Sequence, residues 1–236
     1  PFTANPTSLV KTPQRFSDIT WGNDNVAIVS DEWYDTRNTK TYLINPSNPS
    51  QQPKVITDRN SQDVYADPGN FETRKNQYNR YVLAIENDKA FRIGDGYTKE
   101  GQFPFIDELN LKTLQSKRLY TSTFKDKKED LIEVEDFKKG TVLVQIQSKN
   151  DYPNYYFRNI NQKDKLTPIT DFKNPFESIK NVSKEVIKYK RKDGVELSGT
   201  LYLPVGYDKA KKEKLPLLTH LTQKSTFQIA LCSSNC

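Results

Sequence analysis

The residues that could perform covalent catalysis are few and poorly placed for it. A nucleophilic serine needs a general base close to it, and the sequence has one histidine, His220. Ser198 lies next to Gly199 inside an alternating strand-like stretch, with no base near it in the sequence. None of the nine glycines forms a Gly-x-Ser-x-Gly elbow, the setting of the nucleophile in many hydrolases. The other serines considered, which also lack elbow spacing, are Ser225, Ser233 and Ser234. We therefore predict no catalytic residue in this chain.

Adjacent carboxylates occur at Asp31 and Glu32 and at Asp107 and Glu108. Paired carboxylates can perform acid–base chemistry when they face the same site. Neighbouring residues on a strand point to opposite faces, so we predict that neither pair acts together.

Metal and cofactor motifs are not found in the sequence. Cys232 and Cys236, the two cysteines, are too few for a disulfide framework and lack partners at zinc-ligand spacing. The stretch GDGYTKEG at 94–101 has neither the carboxylate ladder of a calcium loop nor dinucleotide-loop spacing. It is interpreted as a turn, as is NDN at 23–25. We predict no metal and no cofactor.

Composition excludes several classes of protein. The 236 residues are 34% hydrophobic, with a mean hydropathy of −0.82, and no apolar run reaches the roughly 18–20 residues of a membrane span. The first 16 residues lack the apolar core of a signal peptide. Residues 1–179 hold 25 basic and 25 acidic side chains, whereas 180–214 hold 10 basic and 5 acidic. The lysines of 180–214 alternate with acidic and apolar residues, which indicates a solvated face and not a nucleic-acid site.

Three segments of the chain repeat the same pattern. Each contains three short runs of β-type sequence rich in Val, Ile, Tyr and Phe, separated by Asn, Asp, Gly and Pro. A further run precedes each set, at 17–21, 69–74 and 130–137. The sets are NVAIVSDEW, TYLINPS and KVITD at 25–33, 41–47 and 54–58; RYVLAIEND, PFIDELNLKT and KRLYTS at 80–88, 104–113 and 117–122; and GTVLVQIQS, NYYFRNIN and KLTPITDF at 140–148, 154–161 and 165–172.

Four strands repeated at intervals of roughly 55–60 residues are typical of β-propeller blades. A β-sandwich is the alternative, and the threefold rhythm favours the propeller. The aromatic residues Trp21, Trp33 and Tyr34 are expected to pack within the blades and not to form a ligand platform. Propellers typically close with four to eight blades, so we expect three blades to be part of a larger ring.

A new element follows the polar linker after Phe172. The stretch EVIKYKRKDGVELSGTLYLP predicts two strands joined at Asp193-Gly194, a strong hairpin signal. In the second strand alternate residues from Val195 to Leu203 share one face. LPLL at 215–218 is predicted to begin a buried strand.

At this point the chain resembles the prolyl oligopeptidase family of serine peptidases, most closely its glutamyl-endopeptidase-like branch. The resemblance rests on YKRKDGVELSGTLYLPVGYD at 189–208 with KLPLL at 214–218, on GQFPFIDELNLKT at 101–113, and on PITDFKNPF at 168–176. It spans roughly residues 65–218. In this family the hairpin opens an α/β-hydrolase domain that follows the propeller.

The resemblance implies a peptidase with a Ser/Asp/His triad, acting on oligopeptides beneath a propeller. The lysine pattern of 180–214 predicts no nucleic-acid partner, and the oligomeric state is open. The compartment is also open, because family members are often exported to the periplasm or secreted. The alternative function is a stand-alone β-propeller-type protein-binding module without catalysis.

The sequence therefore predicts a mainly β chain in three parts. Residues 1–175 form about three C-terminal propeller blades, 176–218 form the linker and the opening hairpin of a truncated α/β-hydrolase domain, and 219–236 form a divergent tail. The sequence contains no methionine, so we expect it to begin inside a longer reading frame, the alternative being a processed N-terminus. The composition changes after Leu218, and a shifted reading frame and a genuinely divergent terminus are both open. Because the triad of the family would lie beyond the hairpin, we expect this chain alone to be inactive.

Overall fold

The structure is a computed structural model that describes residues 5–149, 151–162, 165–176, 181–211 and 214–220, together with the backbone of 221 and 226–231. The chain divides into two compact units, Pro1–Phe172 and Lys173–Cys236. The finer boundaries predicted after residues 175 and 218 remain predictions. Within the described ranges, no helix is long and apolar enough to cross a membrane.

The first sheet, called blade 1, is a four-stranded antiparallel meander. Its strands are β1 (Arg15–Asn23), β2 (Val26–Trp33), β3 (Asn38–Ile44) and β4 (Lys54–Asn60), each paired with the next. Strand β2 is buried on both faces because Ala27 and Val29 lie on one side and Ile28 on the other. The predicted turn at 23–25 is confirmed, since the Asn25 N–H donates to Asn23 Oδ1 at 2.9 Å.

The second sheet, blade 2, is built from shorter pieces. In chain order these are β5 (Asn70–Phe71), β6 (Thr73–Lys75), β7 (Tyr81–Leu83), β8 (Ile85–Glu86), β9 (Lys89–Gly94), β10 (Phe105–Asn110) and β11 (Ser116–Thr121). The blade runs β11-β10-β9-β5, with β8 also paired to β9, while β6 and β7 form a separate hairpin.

The prediction that residues 80–88 form the second strand of this blade is wrong. Asn87 and Asp88 have φ angles of 51° and 61°, the left-handed values of a two-residue hairpin turn. The chain therefore reverses at these two residues, and Lys89–Gly94 takes the central position between β5 and β10.

Blade 3 again has four consecutive antiparallel strands. They are β12 (Lys127–Asp136), β13 (Thr141–Ser148), β14 (Asn154–Asn159) and β15 (Leu166–Pro168). Irregular pairing near Glu133 and Asp136 marks two bulges in β12, and such bulges bend the strand and increase its twist.

Neighbouring blades pack face to face through two hydrophobic cores. Ile28 of blade 1 packs with Ala90 and Leu109 of blade 2. On the opposite face of β10, Ile106 packs with Val142 and Val144 of blade 3. Burying one such aliphatic side chain contributes about 1.5–3 kcal/mol. Sheets stacked in chain order through both faces are the arrangement of propeller blades, so the partial β-propeller is confirmed.

The second unit contains β16 (Ser183–Lys190), β17 (Glu196–Leu203), a 3-10 turn (Lys209–Lys211), β18 (Leu217–Leu221) and β19 (Thr226–Leu231). Its sheet has the order β16-β17-β19-β18, in which β17 and β19 are parallel. The predicted hairpin is confirmed: Lys190 pairs with Glu196, and Gly194 adopts a φ of 87° in the turn.

The prediction of burial at 215–218 is wrong. Leu217 and Leu218 are 61% and 63% exposed because β18 is an edge strand and no described element covers these side chains. The described residues include no α-helix, so the hydrolase assignment of this unit remains a proposal.

Candidate functional site

The described serine and histidine candidates do not form a nucleophile–base pair. Ser198 lies half-buried in the middle of β17, whereas the side chain of His220 is exposed on β18. No hydrogen bond joins the two residues. The remaining sequence candidates, Ser225, Ser233, Ser234, Cys232 and Cys236, lie outside the described residues.

The carboxylate pairs are divided between opposite faces, as predicted. Asp107 accepts hydrogen bonds from the guanidinium of Arg118, whereas Glu108 pairs with Lys89 at 2.8 Å. Asp31 is fully buried and its Oδ2 accepts from the hydroxyl of Tyr42 at 3.1 Å. Burial, together with the hydrogen bond to this carboxylate, raises the pKa of Tyr42 to about 12.

Three aromatic residues expected to pack within the blades are instead exposed. Trp21, Trp33 and Tyr34 are 46%, 50% and 74% exposed, because they lie at strand ends and in the turn after β2. The ring of Tyr34 is covered in part by the guanidinium of Arg37, whose carbon lies 3.8 Å from the ring centroid.

The stretch at 94–101 is a turn, in which the Thr98 N–H donates to the Gly101 carbonyl at 2.8 Å. Among the residues that the structure describes, no group of three or more His, Cys, Asp or Glu side chains could hold a metal ion.

A buried ion pair within blade 3 is hydrogen-bonded by a tyrosine of blade 2. Arg158 Nε donates to Glu129 Oε1 at 2.5 Å, and the hydroxyl of Tyr120 donates to Glu129 Oε2 at 2.8 Å. The side chains of Arg158 and Glu129 are 5% and 0% exposed. Burial and the negative charge of Glu129 raise the pKa of Tyr120 well above its usual value. Both oxygens of the buried carboxylate therefore have a donor, as a buried charge requires.

A second acid lies at the same interface. The Oε2 atom of Glu72, in the segment between β5 and β6, accepts a hydrogen bond from the Val134 N–H of β12 at 3.1 Å. Burial raises the pKa of Glu72 above its usual value. This contact fixes the bulged part of β12 against blade 2.

The interface of blades 1 and 2 contains a polar cavity of about 330 Å³. One wall is a row of short polar side chains that lie in register across the four strands of blade 1: Asp18, Ser30, Thr41 and Thr57. The opposite wall includes the loop 67–71 and Arg92 of β9. This part of the interface is mainly polar, whereas the part around Leu83 and Leu109 is apolar.

The guanidinium of Arg92 is incompletely paired. Arg92 is 4% exposed, and its Nη2 donates to Ser116 Oγ at 2.6 Å. Its Nε is buried and has no hydrogen-bond partner. Asp107, whose negative charge acts on Arg92, is already bound by Arg118. Burial lowers the pKa of Arg92, which expresses the cost of a charge removed from water.

Sequence reasoning missed Arg92, Glu129 and Arg158. Each is a charged residue within a β-type run and would ordinarily be assigned to a solvated face. The sequence of β9 did contain a signal for the burial of Arg92. Ala90 and Phe91 precede the arginine and Ile93 follows it, so its neighbours in the sequence are apolar.

Two curated proteins are similar over most of the chain. "Probable glutamyl endopeptidase, chloroplastic" of Arabidopsis thaliana is 35% identical over 230 aligned residues, which cover 90% of this chain and 24% of that protein. The protein of the same name from Oryza sativa subsp. japonica is 34% identical over 229 residues, with the same coverage. The chain spans about a quarter of the length of these relatives. No protein-family model matches it.

Solved structures are similar at low sequence identity. Oligopeptidase B from Trypanosoma brucei matches with a TM-score of 0.49 and 8% identity, over 94% of this chain and 39% of that one. Porphyromonas gingivalis dipeptidyl peptidase 4 matches with a TM-score of 0.44 and 10% identity, over 88% and 36%. The three stacked blades and the identity to the two plant proteins lead to one conclusion: the chain belongs to the prolyl oligopeptidase family of serine peptidases.

Proposed function

We propose that this chain is the propeller part and the opening hydrolase strands of a serine peptidase that cleaves peptide bonds in oligopeptides. The observation that carries the proposal is the 35% identity over 90% of the chain to a glutamyl endopeptidase about four times as long. The name of these relatives makes cleavage after glutamate the first specificity to test.

The Ser/Asp/His triad of the proposed enzyme lies outside this chain. There the serine attacks the peptide carbonyl while the histidine takes its proton and the aspartate orients the histidine. The blades supply no group that touches the reacting atoms. Their part is a rigid cover, stacked through two hydrophobic cores, that admits short or unfolded peptides.

The second unit supports the proposal through its sheet. Open α/β sheets commonly carry an antiparallel edge strand beside parallel ones, and β16 is antiparallel to β17 while β19 is parallel to it. Val186, Leu217 and Leu218 are exposed on this sheet. In the proposed enzyme, helices of the hydrolase domain cover such side chains.

The proposal is tested with a serine-reactive fluorophosphonate probe. Because no described serine has a histidine partner, the purified chain is expected to show no specific labelling. The predicted inactivity would be contradicted if mass spectrometry identified a labelled serine and if denaturing the chain before adding the probe abolished that labelling.

The position of the triad is tested by sequencing the coding DNA beyond the codon for Leu218 and translating all three frames. We expect one frame to reach Gly-x-Ser-x-Gly, followed by an aspartate and a histidine. A confirmed stop with no hydrolase-like frame would instead favour the stand-alone binding module, which also predicts a soluble monomer that unfolds cooperatively.

A further inference from the structure

From the cavity between blades 1 and 2, we infer a binding site for a small carboxylate that pairs with Arg92. The site is separate from the proposed peptidase chemistry and does not depend on it. Its central feature is Arg92, a residue that is 4% exposed and lines the cavity. The buried Nε atom of its guanidinium has no hydrogen-bond partner.

The charges around the cavity favour an anion with a single negative charge. Arg59 and Asp67 pair with each other at 3.0 Å. Asp18 also lines the cavity and is exposed to water, which weakens the effect of its negative charge. Arg92 is left as a buried positive charge, and a buried charge is costly unless it is paired. A carboxylate neutralises this one charge, whereas a phosphate dianion would leave excess negative charge beside Asp18.

The size and lining of the cavity also fit a small carboxylate. Its volume of about 330 Å³ corresponds to the liquid volume of about ten waters, which leaves room for an acid of a few carbon atoms. The hydroxyls of Ser30, Thr41 and Thr57 line the wall opposite Arg92, and Ser30 Oγ lies 3.4 Å from Thr41 Oγ1. Hydroxyls that rotate freely can donate to a carboxylate oxygen, and the guanidinium fork matches carboxylate geometry.

The loop that closes the cavity has a fixed backbone. Gly69 adopts a φ of 82°, and its N–H donates to Asp67 Oδ1 at 2.9 Å. A Cβ at this position would collide with the backbone carbonyl of Ile93. The loop therefore packs directly on β9, the strand that carries Arg92, and both walls of the site are held before a ligand arrives.

The experiment measures the thermal midpoint of the whole chain while acetate replaces sodium chloride at constant ionic strength. A ligand that binds the folded state raises the midpoint with its concentration, so acetate is expected to raise it and chloride is not. A capped Ala-Glu-Ala tripeptide forms a second arm, because it carries the same carboxylate on a peptide. If only acetate raises the midpoint, the site binds free acids. If the tripeptide raises the midpoint at lower concentrations than acetate does, the site binds acidic side chains of peptides.

Three variants make the result specific to Arg92. Arg92→Met is expected to weaken acetate binding about tenfold or more, and Arg92→Lys should bind with intermediate affinity since lysine lacks the fork. Asp18→Asn, at an exposed position that should not impair folding, is expected to tighten binding roughly two- to fivefold. The matched control is Arg80→Met, which removes the same charge at an exposed site in the turn between β6 and β7 and should bind as the wild type does.

The inference is overturned if acetate, tripeptide and chloride give the same midpoint, or if Asp18→Asn leaves the acetate response unchanged. An equal response of Arg92→Met and Arg80→Met would also overturn it, because binding would then follow net charge and not this cavity.

Discussion

Each of the two blade interfaces contains a buried arginine, and the two arginines differ in how completely their guanidinium groups are paired. At the interface of blades 2 and 3, Arg158 and Glu129 of blade 3 form an ion pair, and the hydroxyl of Tyr120 from blade 2 donates to the other carboxylate oxygen. Between blades 1 and 2, Arg92 has a neutral hydroxyl as its hydrogen-bond partner and an adjacent cavity. Removing one partner of a fully hydrogen-bonded buried ion pair destabilises the folded state strongly. A poorly paired buried charge destabilises the folded state for as long as it is present. One interface is therefore completed by the chain itself, and the other is left open to a ligand.

The largest effect is expected when the complete interface loses its carboxylate. Glu129→Met leaves Arg158 without this buried negative charge and should lower the free energy of unfolding by about 3–5 kcal/mol. The double variant Glu129→Met with Arg158→Met should recover most of this loss, since no lone charge remains. Denaturant titration measures both, with Glu135→Met, an exposed position on the same strand, as the control. Equal losses in the single and double variants would show that packing and not charge explains the effect.

The hydrophobic parts of the two interfaces can be compared on one strand. Ile106 and Leu109 are both 1% exposed on opposite faces of β10. Truncating either to Ala should cost about 2–5 kcal/mol. We expect a larger loss at Ile106 than at Leu109, because the buried cluster of Ile106 has seven members and that of Leu109 has five. The reverse order in denaturant titration would contradict the expectation that the larger buried cluster contributes more to stability.

A change of opposite sign is expected at the open interface. In buffer without carboxylates, Arg92→Met should raise the free energy of unfolding by about 1 kcal/mol, because it removes a buried charge that is poorly paired. The same denaturant titration detects the change. A loss of stability comparable to that of Glu129→Met would mean that Arg92 is fully compensated by Asp107 and that the two interfaces are alike.

The smallest effect is expected at Glu72 and depends on pH. The pKa of Glu72 is raised in the folded state by burial, so folding favours its protonated form. This contribution is fully present below the unfolded pKa, near 4.5, and is lost as the pH rises through the folded value. Glu72→Gln keeps an acceptor for the Val134 N–H and removes the titration. Its stability relative to the wild type should therefore increase from pH 4 to pH 7, and a pH-independent difference would contradict the assignment.

The strand order of blades 1 and 3 could be predicted from the sequence because each run of β-type residues ends at a clear turn. Blade 2 could not, because the turn at Asn87-Asp88 has no glycine although both residues adopt positive φ. Strand β9 was missed for a related reason: it is buried on both faces and contains Arg92, so its pattern does not alternate. The partners of buried charges could not be predicted either. Glu129 and Arg158 are 29 residues apart, and their contact depends on the pairing of three strands.

The outermost strand of each blade has consequences for solubility. Strands β4, β11 and β15 each end the pairing order of their sheet, so each presents unpaired backbone groups to which another chain could add a strand. Strand β4 carries Lys54 and Arg59, β11 carries Lys117 and Arg118, and β15 is three residues long and ends in Pro168. Charge, shortness and proline are the means by which natural sheets prevent such pairing. These three edges are thus protected against the addition of a strand from another chain.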